Sequence, residues 1–137
     1  MPIATTQDLK QNLTVHVVTD RVTEQEMFGT LEAFYAGQFT RLLLWDMSQA
    51  NLEHVSIDTL RRFVHRAAEL GADRVGGKTA VVAATALQYG LARMSATFAD
   101  IEAAPYEFAI FKTCEEARAW LTSDVKSDVL QFNRDRE

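Results

Sequence analysis

The sequence predicts a single α/β domain with a four- to five-stranded, mostly parallel sheet flanked by helices. Short apolar or β-branched runs typical of strands alternate four times with longer amphipathic runs typical of helices. Such alternation favours parallel strands joined by right-handed helical crossovers. The chain of 137 residues is also long enough to bury a core of its own.

The first repeat is a strand followed by a capped helix. The run LTVHVV (13–18) is β-branched and alternating, which predicts a strand. Thr23 and Glu26 have the spacing of a capping box, in which each side chain satisfies a backbone N–H of the other residue. The helix that follows should end at Gly37. Residues 1–12 are a candidate edge strand.

The second repeat and the third strand follow the same order. RLLLWD (41–46) is a continuous apolar run, as expected for a strand buried on both faces. An apolar stripe over residues 57–68 predicts a second helix, which should end at Gly71. AVVAA (80–84) is the next buried strand.

The third helix has the most regular apolar spacing in the chain, and we expect its stripe to face the core. FAIF (108–111) predicts a fourth strand, and a second capping box at 113–116 predicts a last helix. Residues 1–122 would then form the domain, and 123–137 a polar tail or short helix. The apolar stripe of the third helix consists of Leu87, Leu91, Met94, Phe98 and Ile101.

ADRVGGKT (72–79) ends in the Gly-Lys-Thr of a phosphate-binding loop. A working loop of this kind leaves a strand and enters a helix, whose N-terminus faces the phosphates. Here the segment leaves a helix and enters a strand, so Lys78 would lie at the wrong edge of the sheet. We therefore interpret the segment as a helix-to-strand turn.

Composition limits the function classes. The formal net charge of −5 argues against nucleic acid and favours a protein or small-molecule partner. No apolar run approaches the about 18 residues that a membrane span needs. The first residues lack a secretory signal pattern, and the single Cys114 cannot form an internal disulfide. We expect a cytoplasmic protein.

The sequence supplies no catalytic, cofactor or metal constellation. The three histidines have no metal-like spacing, so we expect no metal site. Cys114 lacks a Cys-x-x-Cys partner, and the neighbouring Glu115 and Glu116 disfavour a thiolate. Asp46 and Ser48 follow a buried strand, where ligands and partners of parallel sheets gather. They complete no set of nucleophile, base and orienting group, and Asp46 is equally explained as a turn residue.

The pattern as a whole resembles the STAS domains, the family of bacterial anti-sigma-factor antagonists related to SpoIIAA. The segment LLLWDMSQANLEHVSIDTLRRFVHRAAELG resembles their central strand, loop and helix. KTAVVAATALQYGLARMSATF and YEFAIFKTCEEARAWL resemble a bacterial STAS/CRAL-TRIO-like branch, and the resemblance covers about residues 13–122.

The resemblance implies a non-enzymatic domain that binds a partner protein. In some STAS domains, a Ser or Thr at the start of the second helix is phosphorylated as a switch, within Asp-Ser-Ser-Gly. This chain has Asp58, Thr59 and Leu60 there, and so lacks the second hydroxyl and the glycine. Thr59 and Ser56 are also suited to helix capping. A phosphate at this position would be stabilised by the helix dipole.

Three functional hypotheses follow, and an interaction module is the first. It would act through the strand-end rim, which is the edge of the sheet at the carboxyl ends of the strands, and through the second helix. Arg62 belongs to a cluster of basic residues on that helix. The alternative is a binder of a small apolar or lipid-like ligand, lined by Leu87, Leu91, Met94 and Phe98 of the third helix. A stripe of this spacing more commonly fills an ordinary core. An enzyme ranks last, and a homodimer through an edge strand or the tail is a further expectation.

Overall fold

Strands and helices alternate as the sequence predicts. The computed structural model describes residues 2–123, so the predicted tail from 124 onward lies outside the described residues. The elements are β1 (Ile3–Asp8), β2 (Leu13–Arg21), α1 (Glu24–Ala36), β3 (Leu42–Asn51), α2 (Ile57–Leu70), β4 (Lys78–Val82), α3 (Ala86–Ile101), β5 (Glu107–Phe111) and α4 (Cys114–Leu121).

The strands form a five-stranded sheet in the order β1-β2-β3-β4-β5. β1 is the predicted edge strand and pairs antiparallel with β2, whereas β2 to β5 are parallel. Strand order never reverses along the chain, so right-handed crossovers would place every connecting helix on the same face. The observed arrangement agrees, and the predicted fold class is confirmed.

Side chains that alternate along β3 divide the core into two layers. Leu43 and Trp45 pack with the residues of α1, α2 and α3 on one face. Leu42 and Leu44 pack on the opposite face against α4, including its Trp120. In the described part of the chain, the sheet therefore carries three helices on one side and one on the other.

Two strands continue beyond their predicted ends. β2 extends to Arg21 and β3 to Asn51, and the two extensions pair with each other after a register shift between Val17 and Thr19. Pairing between β3 and β4 still ends at Asp46 and Val82. Asp46 therefore lies at the edge of the β3–β4 ladder, as expected of a strand-end residue.

The predicted orientation of α3 is partly wrong. Leu87 is 46% exposed and Ile101 is 72% exposed, while the buried positions are Gln88, Ala92 and Ala99. The reason is the Gln88 amide, which hydrogen-bonds four backbone groups at the ends of β3 and β4. Because the Gln88 side of α3 faces the sheet, the side of the helix that carries Leu87 and Ile101 is turned towards solvent.

Of the two predicted capping boxes, one is complete and the other is half formed. Thr23 and Glu26 form the predicted capping box. At α4 the Thr113 side chain accepts from the Glu116 N–H, as predicted. The Glu116 carboxylate, however, accepts from the Thr113 hydroxyl at 3.2 Å, so the second box is only half formed.

The Gly-Lys-Thr segment is a helix-to-strand turn, as predicted. Lys78 is the first residue of β4, and α3 begins only at Ala86. Gly76 has a φ of 79°, and a Cβ on Gly77 would lie 2.8 Å from the Arg41 carbonyl oxygen. Lys78 is fully buried, and its Nζ donates to the carbonyl oxygens of Trp120 and Ser123 at 2.9 and 3.0 Å. The lysine is therefore held inside the fold.

Candidate functional site

The carboxyl edge of the parallel strands is the place where the four helices of residues 2–123 begin. β2, β3, β4 and β5 each lead, directly or through a short loop, into a helix with a hydroxyl-bearing cap. Each cap side chain accepts a hydrogen bond from a backbone N–H in the first turn. The capping residues are Thr23, Ser56, Thr85 and Thr113.

One connected group of side chains lies at the start of α2, and we call it the α2 network: Ser56, Asp58, Thr59, Arg62 and Glu24. The Ser56 hydroxyl donates to Thr59 Oγ1 at 2.9 Å. Arg62 donates to Asp58 at 3.0 Å and to Glu24 of α1 at 2.6 Å. Thr59 Oγ1 in turn donates to Glu24 at 3.4 Å. The structure thus brings together four residues predicted from the sequence and adds Glu24.

The α2 network is exposed and electrostatically matched. The side chains of Arg62, Glu24 and Asp58 are 49%, 47% and 66% exposed. The hydrogen bond from Arg62 holds the pKa of Glu24 below its usual range, and the bonds to Glu24 and Asp58 raise the pKa of Arg62. Both groups are therefore ionised at neutral pH.

Asp46 and Ser48 form a second group, which Cys114 completes. The Ser48 hydroxyl and backbone N–H donate to Asp46 Oδ1 at 2.7 and 3.0 Å. The Cys114 thiol, at the start of α4, donates to Asp46 Oδ2 at 3.0 Å. Among the described residues, no hydrogen bond or ion pair joins this group to the α2 network.

The proton positions in this second group follow from its contacts. Burial raises the pKa of Asp46, but hydrogen bonds from Ser48 and Cys114 outweigh it and leave the pKa below its usual value. Burial, the bond to Asp46 and its negative charge together raise the pKa of Cys114 to about 11. At neutral pH the pair is a carboxylate beside a protonated thiol, which is a weak nucleophile.

An apolar cavity of about 110 Å³ lies between the sheet and α1, α2 and α3. Leu91 is the one member of the predicted ligand set that lines it, with Trp45, Phe63 and Val81 among its neighbours. Leu87 is exposed on the surface, and Met94 and Phe98 are half-buried outside the lining. The predicted set of four is therefore not assembled around the cavity.

A charged residue that the sequence did not reveal also lines this cavity. Arg74 is only 3% exposed and belongs to the turn before β4. Its guanidinium donates to the carbonyl oxygens of Arg41 and Lys78 and to the hydroxyls of Tyr35 and Thr79, at 2.7 to 3.2 Å. Arg41 and Tyr35 lie 33 and 39 residues away along the chain, so no local pattern could have revealed these two contacts.

Within residues 2–123, no group of three His, Cys, Asp or Glu side chains is arranged to hold a metal ion. No helix in the same range is long and apolar enough to cross a membrane.

Comparison with known proteins identifies the fold. A solved structure of an uncharacterized protein from the DUF3478 family of Shewanella loihica PV-4, with a SpoIIAA-like fold, matches this chain with a TM-score of 0.51. The match covers 87% of this chain and 91% of the other at 21% identity. No family profile matches the sequence, and no curated protein does. The chain therefore has a SpoIIAA-like fold.

Proposed function

We propose that this protein is a non-catalytic, STAS-type regulatory module that binds a partner protein through the carboxyl edge of its sheet and α2. The observation that carries the proposal is the α2 network. It gathers Ser56, Asp58, Thr59 and Arg62 into one exposed, hydrogen-bonded cluster at the start of α2.

The chemistry of the neighbouring group supports a binding role. Cys114 is protonated at neutral pH, and both Asp46 carboxylate oxygens already accept hydrogen bonds. A thiol nucleophile must ionise, and Asp46, whose pKa lies below its usual value, is a weak base for a thiol whose pKa is raised to about 11. Asp46 and Ser48 are therefore best explained as a rigid support for the start of α4 and for the rim.

The charge of this edge indicates the kind of partner. Exposed carboxylates lie in the first turns of α1, α2 and α4, at Glu24, Asp58, Glu115 and Glu116. They are stabilised there by the helix dipoles. Arg62 pairs with Glu24 and Asp58, so this edge presents both signs of charge, and a partner with a matching pattern of acidic and basic groups would gain in association rate and specificity.

Phosphorylation of Thr59 would change the same surface. The Thr59 hydroxyl lies 3.4 Å from both Glu24 and Arg62. A phosphate there would compete with Glu24 for Arg62 and would repel the Glu24 carboxylate. The contact between α1 and α2 would open as a result, which gives the module a switch.

The test compares charge-changing variants in affinity capture from cell extract, followed by binding measurements with the purified partner. Arg62→Glu should abolish capture, and Thr59→Glu should weaken it strongly. Lys10→Glu makes the same charge change in the β1–β2 turn, at the opposite edge, and should leave binding intact. A partner retained equally by Arg62→Glu and Lys10→Glu contradicts the proposal.

The cavity favours a second candidate function, the binding of a small apolar molecule. Its lining is mostly aliphatic and aromatic, and its volume approaches that of engineered cavities of about 150 Å³ that bind benzene. Addition of 1-pentanol to the full-length protein should shift the NMR signals of Leu91 and Val81. Ala92→Leu fills the cavity from α3 and should abolish the shifts; shifts that persist in this variant exclude the cavity as the site.

A further inference from the structure

We infer that the cavity binds a short-chain monocarboxylate, whose carboxylate is held by Arg74 and Tyr35 and whose tail occupies the apolar part. This inference rests on the second proposed function, that the cavity takes a small ligand, and assigns the chemical class of that ligand. Its basis is a buried cation beside an apolar space.

The Arg74 charge is buried without a carboxylate to balance it. The residue is 3% exposed, and within residues 2–123 no Asp or Glu oxygen lies within 4 Å of its guanidinium. Its partners are neutral oxygens and the ring of Tyr106, whose centroid lies 4.6 Å from the guanidinium carbon. Buried charges are normally paired, so an anion that reaches this site replaces a missing partner.

A count of donors shows that the guanidinium has capacity left. Arginine has five N–H donors, and four of them are assigned to Arg41, Tyr35, Lys78 and Thr79. The remaining N–H belongs to Nη1, the nitrogen that donates to the Tyr35 hydroxyl at 3.1 Å.

Tyr35 supplies the second donor. Its oxygen accepts from Arg74, so its own hydrogen is left to point elsewhere, and no acceptor for it is found among the described residues. Arg74 and Tyr35 both line the cavity. One N–H and one O–H on neighbouring groups match the two oxygens of a carboxylate.

The rest of the lining determines the tail. Leu31, Leu43, Trp45, Phe63 and Leu91 surround the space with hydrocarbon. The volume of about 110 Å³ is smaller than a benzene-binding cavity, which limits the tail to about four carbons. Pentanoate has this size and carries one negative charge.

The experiment is an NMR titration of the full chain with three probes of equal length: pentanoate, 1-pentanol and pentylamine. We expect pentanoate to bind at least about tenfold more tightly than 1-pentanol, and pentylamine to bind more weakly than either. Equal affinity for pentanoate and 1-pentanol overturns the assignment of an anion but leaves the cavity proposal intact. Failure of all three probes overturns both.

Two variants locate the carboxylate. Tyr35→Phe keeps the ring and removes the hydroxyl, so pentanoate affinity should fall about threefold to tenfold while 1-pentanol affinity stays the same. Tyr89→Phe removes an exposed hydroxyl on α3 and should change neither. Arg74→Gln should remove the preference for pentanoate over 1-pentanol. If it fails to fold, the Tyr35→Phe result decides alone, and an unchanged pentanoate affinity overturns the inference.

Discussion

The Cys114 thiol donates a hydrogen bond of 3.0 Å to the Asp46 carboxylate, across a separation of 68 residues. The bond joins the end of the β3–β4 ladder to the first residue of α4. α4 is the helix that covers the second face of the sheet, so this contact fixes its N-terminus on the sheet. A cysteine at a helix start is here a hydrogen-bond donor.

The first prediction concerns the reactivity of Cys114. With its pKa raised to about 11 from 9.0, the thiolate fraction at pH 8 should be roughly a hundredfold lower than in an unperturbed thiol. Alkylation by iodoacetamide should be slow to a similar degree. Asp46→Asn removes the negative charge, so it should lower the pKa of the thiol and accelerate alkylation.

Ser48→Ala is the matched control for that experiment. It removes a hydrogen bond to the same carboxylate but leaves the charge in place, so alkylation should stay slow. Wild-type protein that reacts at the rate of a small-molecule thiol would show that the contact with Asp46 does not control Cys114.

The second prediction is a loss of stability on acidification that originates at His16. Burial lowers the pKa of His16 from 6.5 to about 4. The unfolded chain therefore binds the proton first, and the folded state loses stability as pH falls from 6.5 towards 4. The shift corresponds to about 3 kcal/mol over that window. His16→Phe should flatten the dependence of the unfolding free energy on pH, measured with urea.

His65 serves as the opposing control. Its pKa is raised, mainly by its hydrogen bond with Glu102, so its contribution is complete at low pH and is lost as pH rises through the folded pKa. His65→Gln should therefore leave the acid-side loss in place. If His16→Phe keeps the wild-type slope between pH 4 and 6.5, another group is responsible.

Local patterns predicted much of this fold because its signals are local. The cap at Thr23, the stop at Gly71 and the order of strands and helices each depend on residues within one element. Most of the α2 network could be predicted from the sequence for the same reason: Ser56, Asp58, Thr59 and Arg62 lie within two turns at the start of one helix. Glu24 joins them through tertiary packing of α1, which no local pattern reveals.

The errors came from polar residues with distant partners. The spacing of Leu87 and Ile101 correctly predicted a helix, but these two residues are exposed, because Gln88 of the same helix binds the backbone of β3 and lies on the buried side. Thr85 and Gln88 have the spacing of a capping box, a signal that could have identified the start of the helix but not its buried side. Arg74 offered no comparable signal.

The third prediction concerns Lys78 and nucleotides. Lys78 is fully buried and donates to two backbone carbonyls at the end of α4, so Lys78→Ala should cost about 2 to 4 kcal/mol of unfolding free energy. Magnesium ATP should leave the melting temperature of the wild-type protein unchanged. Lys10→Ala changes an exposed lysine and should be nearly neutral. An ATP-dependent rise in melting temperature that Lys78→Ala abolishes would refute the turn interpretation.

The fourth prediction is that Gln88 contributes more to stability than its position on a surface helix implies. Its side-chain oxygen accepts from the N–H groups of Ala84 and Thr85 at 2.8 and 3.0 Å, and its nitrogen donates to the carbonyls of Ser48 and Ala50. Gln88→Ala would leave these groups unpaired at a position that is 5% exposed, at a cost of about 2 to 4 kcal/mol in urea unfolding.

The matched control is Gln25→Ala, which removes an exposed glutamine from the first turn of α1 and should change the unfolding free energy by less than about 0.5 kcal/mol. Helix propensity favours alanine at both positions, so a loss seen only at Gln88 isolates the four hydrogen bonds. Leu87→Gln should also be tolerated, because Leu87 is an exposed neighbour of Gln88 and its side chain can be replaced by a polar one without burying unpaired groups. Equal changes in unfolding free energy for Gln88→Ala and Gln25→Ala would mean that water takes over the hydrogen bonds of the four backbone groups. The orientation of α3 would then have a cause other than Gln88.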